Sequence, residues 1–216
     1  MIQQNAVQKI GNTLLELHHS GAVHVLNHHT LVIADLHIGK AAHFRKNGIP
    51  IPSMANRNNF WKLVEAIEWA RPNQIVFLGD ISHSEINEEW TDFVDFLDQF
   101  PEIKRILVKG NHDIFKQEIY VKSGFEVVQA LEMAGIYWIH EPEEIEEKYT
   151  IAGHVHPAVR MTGSARQSLR LPCFYFGKTF GILPAFGEFT GTGLIKPKKN
   201  DAVWGIVKNK VIALNK

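Results

Sequence analysis

The sequence predicts an α/β protein built on two mixed sheets, and three observations carry that expectation. Apolar runs at 30–36 (TLVIADL), 75–79 (IVFLG) and 105–109 (RILVK) have the length and composition of strands buried on both faces. Amphipathic stretches of helical period lie between them, as when helices pack on a sheet. Beyond residue 124 the chain changes to short strands with short connections, which predicts a second sheet.

Taken in order, the N-terminal stretch reads as a hairpin region whose histidines (His18, His19, His24, His28, His29) are surface residues. The first helix spans about 53–70, with Phe60, Leu63, Val64 and Ile67 on one face, Ser53 as its cap and Pro72 beyond its end. A second helix spans about 84–100, with the stripe Trp90, Phe93, Val94 and Leu97, and Pro101 stops it. FEVVQAL, GIYWIHE, YTIAGHVHP, LRLPCFYFG and AVWGIVKNKVIAL are the later strands. KNK at 208–210 is a hairpin turn and EPEEIEEK an acidic surface loop. No repeat, low-complexity tract or long linker divides the chain, so residues 1–216 are expected to form a single domain.

Composition narrows the class. Hydrophobic residues make up 45% and charged residues 21%, ordinary for a soluble globular protein. No apolar run approaches the roughly 20 residues of a membrane helix, and the N-terminus lacks the basic start and apolar stretch of a signal peptide. The single cysteine, Cys173, reads as a small buried hydrophobe and suits a reducing cytoplasm. Net charge is zero, but residues 85–150 hold 16 acidic and 6 basic groups, whereas 157–216 hold 2 and 10. Such asymmetry marks either a face that meets phosphates or a solvated surface.

Chemistry collects at the strand ends. ADLHIG supplies Asp35 and His37; LGDISHS supplies Asp80 and His83; VKGNHDI supplies Asn111, His112 and Asp113; YWIHEP supplies His140; YTIAGHVHP supplies His154 and His156. In open α/β sheets ligands bind outside the carboxyl ends of the strands. Glycines at 39, 79, 110 and 153 let the backbone turn beside a bound group. Each motif alone is weak; all five in this order, each after an apolar run, are specific. Mixed carboxylate, amide-oxygen and imidazole donors suit Mn²⁺, Fe or Zn²⁺ rather than Ca²⁺.

DLH, GD, GNHD, a lone His and GHVH resemble the five motifs of the calcineurin-like metallophosphoesterases. The resemblance implies a four-layer αββα sandwich, two mixed sheets flanked by helices, with two divalent cations at the strand ends. It implies Asp35, His37, Asp80 and His156 on one cation and Asp80, Asn111, His140 and His154 on the other, with Asp80 bridging. His112 then faces substrate, and a water activated by the cations is the nucleophile. Mn²⁺ is the expected ion, with Fe or Zn²⁺ as alternatives. Asp113 either orients a ring or faces solvent. Many members carry an acid three positions after the second-motif Asp; here it is His83, which either contacts phosphate or supports the site from behind.

Residues 34–52 and 171–192 are further similar to the bacterial DNA ligase-associated branch of that family. That narrower resemblance implies a phosphodiesterase or nuclease in DNA repair, associated with a DNA ligase and a helicase. A small-molecule nucleotide phosphohydrolase and a non-catalytic scaffold for repair partners are the alternatives. Lys40, His43, Arg45 and Lys46 follow the first ligands and either attract phosphate or form a solvated basic loop. Arg160, Arg166 and Arg170 extend a positive track or lie on the surface unpaired. The late aromatics at 174–176, 180, 186 and 189 read first as core, and as base-stacking groups second.

Overall fold

The computed structural model describes residues 6–40, 54–83, 86–162, 167–188 and 190–214, without the side chains of 54–57. Ser53, Ser84, His43, Arg45, Lys46, Arg166 and Phe189 lie outside the described residues.

The first sheet has strands β1 (Ala6–Ile10), β2 (Thr13–Leu17), β3 (Val23–Val25), β4 (Thr30–Ala34), β5 (Gln74–Leu78), β6 (Lys104–Val108) and β7 (Phe125–Val128), in that spatial order. β1 to β4 run antiparallel; β4 to β7 are parallel. Helices α1 (Met54–Ala70), α2 (Glu88–Leu97) and α3 (Gln117–Lys122) make the three crossovers. Right-handed crossovers that all step the same way place every helix on one face of the sheet. That face holds Leu31, Ile33, Phe77 and Leu107 against Leu63, Phe93 and Tyr120. Alternate residues of the same strands, Val32, Ala34, Val76, Leu78 and Val108, face the second sheet, which explains the unbroken apolar runs.

The second sheet contains β8 (Leu131–Met133), β9 (Ile136–Trp138), β10 (Thr150–Ala152), β11 (Pro157–Thr162), β12 (Ser168–Phe176), β13 (Phe180–Ile182) and β14 (Gly193–Leu194). Their spatial order is β14-β11-β12-β13-β10-β9-β8, and the hairpin β15 (Ala202–Val207) and β16 (Lys210–Ala213) adds to β12. Trp138, Ile151, Phe174, Phe176 and Leu183 fill the space between the sheets. These are the two stacked mixed sheets of the α/β sandwich. All described helices flank the first sheet. The outer face of the second carries a small cluster, Val159, Leu171, Cys173 and Val203, with Ile195 and Leu214 packed against it. No helix among the described residues is long and apolar enough to cross a membrane.

Several expectations shift. Of the early histidines read as surface residues, His28 and His29 are exposed, but His24 is buried and His18 and His19 are half-buried. FEVV belongs to the first sheet, not the second, because α3, which the sequence reading did not include, carries the chain back parallel to β6. The second helix begins four residues later than expected, where the Asn87 side chain accepts from the Trp90 amide at 3.2 Å. It ends at Leu97, three residues before Phe100. The turn at Lys208, with φ 51°, joins β15 to β16 as anticipated.

Candidate metal centre

The centre grows from the carboxyl ends of β4, β5, β6, β9 and β10. The loops after β4 and β5 zip together: His37 N–H donates to Asp80 O (2.9 Å), Ile38 N–H to Ile81 O (2.8 Å) and His83 N–H to Ile38 O (3.0 Å). Chain returning from β13 closes the other side, with Phe186 N–H on Ala34 O (2.8 Å) and Gly187 N–H on Asp35 O (3.1 Å). Asp35, His37, Asp80, His154 and His156 all have left-handed backbones, φ 49° to 65°. Such conformations cost about 1–3 kcal/mol each and persist where surroundings fix them. Gly79 turns as expected, φ +73°, and any Cβ there would enter the His140 ring. Gly153 has ordinary φ and is needed for close approach instead: its Cβ would stand 2.6 Å from Asp35 Oδ2.

Two donor groups result. Asp35, His37 and His156 form one, and Asp80, His140 and His154 the other, the donor atoms of each lying within 4.8 Å of one another. Asn111 Oδ1 joins the second, 3.0 Å from both His140 Nε2 and His154 Nδ1. Asp80 spans the two, with Oδ1 3.3 Å from His140 Nε2 and Oδ2 3.9 Å from His37 Nε2. His37 Nε2 and His156 Nε2 are buried without a hydrogen-bond partner. Two orphaned imidazole nitrogens aimed into a pocket of carboxylates are what a cation would complete, so the residues fit the dinuclear site.

The donor side chains are held from behind. His140 Nδ1 lies 3.2 Å from Leu78 O and His156 Nδ1 3.0 Å from Thr190 O, so each ring donates through Nδ1 and leaves Nε2 for a cation. His83 Nδ1 is 3.2 Å from His37 Nδ1. The two rings are thus within hydrogen-bond distance of one another. Asp113, 1% exposed, neither orients a ring nor faces solvent. It accepts from Gly110 N–H (2.8 Å), Ser82 N–H (3.1 Å) and the Ser82 hydroxyl (3.3 Å), and that hydroxyl lies 2.9 Å from Tyr120 OH. It ties the second-motif loop to the third. Sequence reasoning missed Ser82 and Tyr120, which carry no local signal.

Electrostatics suits cation binding. Burial would raise the Asp80 carboxyl, but the hydrogen bond and charge of His140 and then the His112 amide outweigh it and hold it at about 2. Burial, then Lys40, pushes His37 down to about 2 and keeps it neutral. Lys40 is itself lowered by burial against the pull of Asp80 and Asp35, which places it in the field of both ligands. Asp113 is pushed up to about 6 by burial, against its two backbone donors.

All seven expected ligands thus converge. His112 stands at the open side: it is exposed, its amide donates to Asp80 Oδ1 at 2.9 Å, and its ring lies 4.9 Å from that of His83 and 5.8 Å from that of His37. The late aromatics Phe174, Phe176 and Phe186 are core.

The family model described as Calcineurin-like phosphoesterase matches residues 28–153. A nuclease MPE from Pseudomonas putida is 26% identical and superimposes with a TM-score of 0.82 over 98% of this chain and 100% of that one. Yfce, a phosphoesterase from E. coli, gives 10% identity and a TM-score of 0.45 over 85% of this chain and 96% of that one. A comparison with curated protein sequences gives no match.

Proposed function

We propose, starting from the fact that the chain belongs to the calcineurin-like phosphoesterase family, that this metal-dependent phosphoric ester hydrolase cleaves phosphodiesters, DNA among them, as a nuclease in DNA repair. The observation that carries the reading is the pair of donor groups sharing Asp80, open to solvent on the side of His112. Likeness to a nuclease over 98% of this chain supports a nucleic acid as substrate. Association with a DNA ligase and a helicase is the part of the proposal that rests on the narrower resemblance alone.

Asp35, His37, Asp80 and His156 would hold one divalent cation, and Asp80, Asn111, His140 and His154 the other. Mn²⁺ suits this mixture of carboxylate, amide and imidazole donors. Bound cations supply Lewis acidity and lower the pKa of a bound water. The chain's own residues do the rest. Asp80 stays ionised between the two groups. His112, anchored through its amide, presents its ring to the phosphate and donates a proton to it or to the leaving oxygen. Lys40 adds positive charge beside the ligands, and His83 keeps His37 oriented. Buried Cys173, its thiol pushed up to about 12 by burial, has no part in the chemistry and is compatible with the cytoplasm.

Chelator-stripped protein with Mn²⁺ restored is assayed on bis(p-nitrophenyl) phosphate, p-nitrophenyl phosphate, cyclic nucleotides and labelled DNA. Faster turnover of the diesters, DNA included, is expected. Turnover of cyclic nucleotides alone would favour a small-molecule hydrolase, and bound Mn²⁺ without any turnover a scaffold.

A further inference from the structure

Beyond the metal centre, β11 and β12 leave the sandwich as a two-stranded ribbon. Over 160–162 and 168–170 every residue is exposed, on both faces, and among the described residues neither strand pairs with a third there. Arg160 lies directly opposite Arg170 in the register. Like charges opposite one another on an antiparallel pair are destabilising, with Cβ atoms roughly 5 Å apart. Neither arginine has a carboxylate partner among the described residues.

The face they share can be read from the strand alternation. Phe174 and Phe176 point into the core between the sheets, so Arg170, two and four positions back from Pro172 and Phe174 respectively, lies on that same side. Arg160 follows His156 by four residues, about 13 Å along a strand. On the outer face of the second sheet, beside Val159 and Leu214, an open cleft is lined by Arg160 and Met161 together with Lys198 and Lys199. Arg160 and Arg170 are therefore presented side by side on an element that starts beside His156.

We propose that this ribbon grips the phosphate backbone of a nucleic-acid strand leaving the metal centre, with Arg160 and Arg170 as its paired phosphate contacts. The inference rests on the nuclease reading above and names the surface that reading lacks. Phosphates of one duplex strand recur about every 3.4 Å along the axis, so the arginines meet backbone roughly four nucleotides from the scissile bond. A two-stranded ribbon has the width to lie in a major groove.

The test uses Mn²⁺-loaded enzyme and Arg160→Gln/Arg170→Gln, beside the double Arg→Lys variant. Anisotropy of a short fluorescein-labelled phosphorothioate oligonucleotide is followed across KCl concentrations, with bis(p-nitrophenyl) phosphate turnover measured in parallel. The glutamine variant is expected to bind about tenfold more weakly near physiological salt, and its log K–log[KCl] slope to fall by about 1.4–1.8, two contacts' worth. Lysine restores much of both, since a phosphate accepts a point charge. Aryl diester turnover stays at the wild-type level, and the melting temperature does not fall, since the glutamines also relieve the like-charge pair. Unchanged binding and slope in the glutamine variant would overturn the proposal, as would a wild-type enzyme that turns over the aryl diester yet does not bind the oligonucleotide. Arginine-dependent binding without turnover of either substrate would sink the hydrolytic reading and leave the ribbon standing.

Discussion

Replacing Gly153 with alanine adds one methyl group where Asp35 Oδ2 lies 2.6 Å away, Ala34 Cβ 2.9 Å and Leu78 O 3.2 Å. The φ of Gly153 is ordinary, so no backbone strain accompanies the change, and its whole effect is steric. Two of the three neighbours belong to sheet backbone or core and cannot yield. The Gly153 backbone must therefore retreat from those two by about 0.2–0.5 Å, and the Asp35 carboxylate must move by up to about 0.8 Å to regain a 3.4 Å contact. Metal ligands tolerate about 0.2 Å. The same carboxylate accepts the His154 amide at 3.0–3.1 Å, so its shift also loosens the loop that carries two further ligands. We expect the group around Asp35, His37 and His156 to lose about 10–100-fold in Mn²⁺ affinity, and the chelated protein to lose about 1–3 kcal/mol from overpacking. Calorimetric titration of stripped protein with Mn²⁺, and urea unfolding, read the two quantities. Gly135→Ala is the control: φ is +70° but nothing lies within 4 Å, so it strains the backbone and leaves the isotherm alone. A Gly153→Ala isotherm superimposable on the wild type would refute the reasoning.

Asp80→Ala should remove both cations and all turnover, because its two oxygens face different donor groups; elemental analysis and diester assay together decide, and retained activity would rule out the shared-ligand role. His112→Ala should keep both cations while slowing turnover by about 10²–10⁴-fold; loss of Mn²⁺ in this variant would mean that the ring is a ligand. The third expectation concerns pH. His18, stacked on Trp69 at 4.6 Å, is pushed down from 6.5 to about 4 by burial, then by His19 and Lys62. Its native form stays neutral while the unfolded chain takes up a proton below about 6.5. Its contribution is therefore complete above that pH and is lost as pH falls toward 4. Allowing for partial exposure, about 1 kcal/mol should vanish between pH 7 and 5. Urea midpoints of wild type and His18→Asn, compared at both values, should converge at the lower one; a constant difference refutes the assignment.

What the sequence made legible was whatever local order imposes. β4, β5 and β6 are buried on both faces, so they read as continuous apolar runs, and each delivers its ligands one or a few residues after it ends. The late aromatics alternate within β12, so their place in the core was readable too. What escaped depends on distant partners. α3 has six residues and one buried side chain, Tyr120, too few for a period to show, and without it FEVV looked like part of the second sheet. Asp113 is an acid beside a ligand; only Ser82, 31 positions earlier in the chain, decides that it is buried as a clamp. The ring of His83 meets that of His37, 46 positions away. Gly110 and Gly153 resemble turn glycines in the sequence, yet their reason is the lack of room beside Asp80 and Asp35.

Each donor group draws on both sheets. Asp35 and His37 come from the first and His156 from the second; Asp80 comes from the first, and His140 and His154 from the second. A nascent chain that has completed only its first sheet owns an incomplete donor set for each cation. Hydrolytic competence arrives only when the two sheets close on one another, and the ions, once taken up, rivet that seam. Chelation should therefore loosen the sandwich along its whole interface.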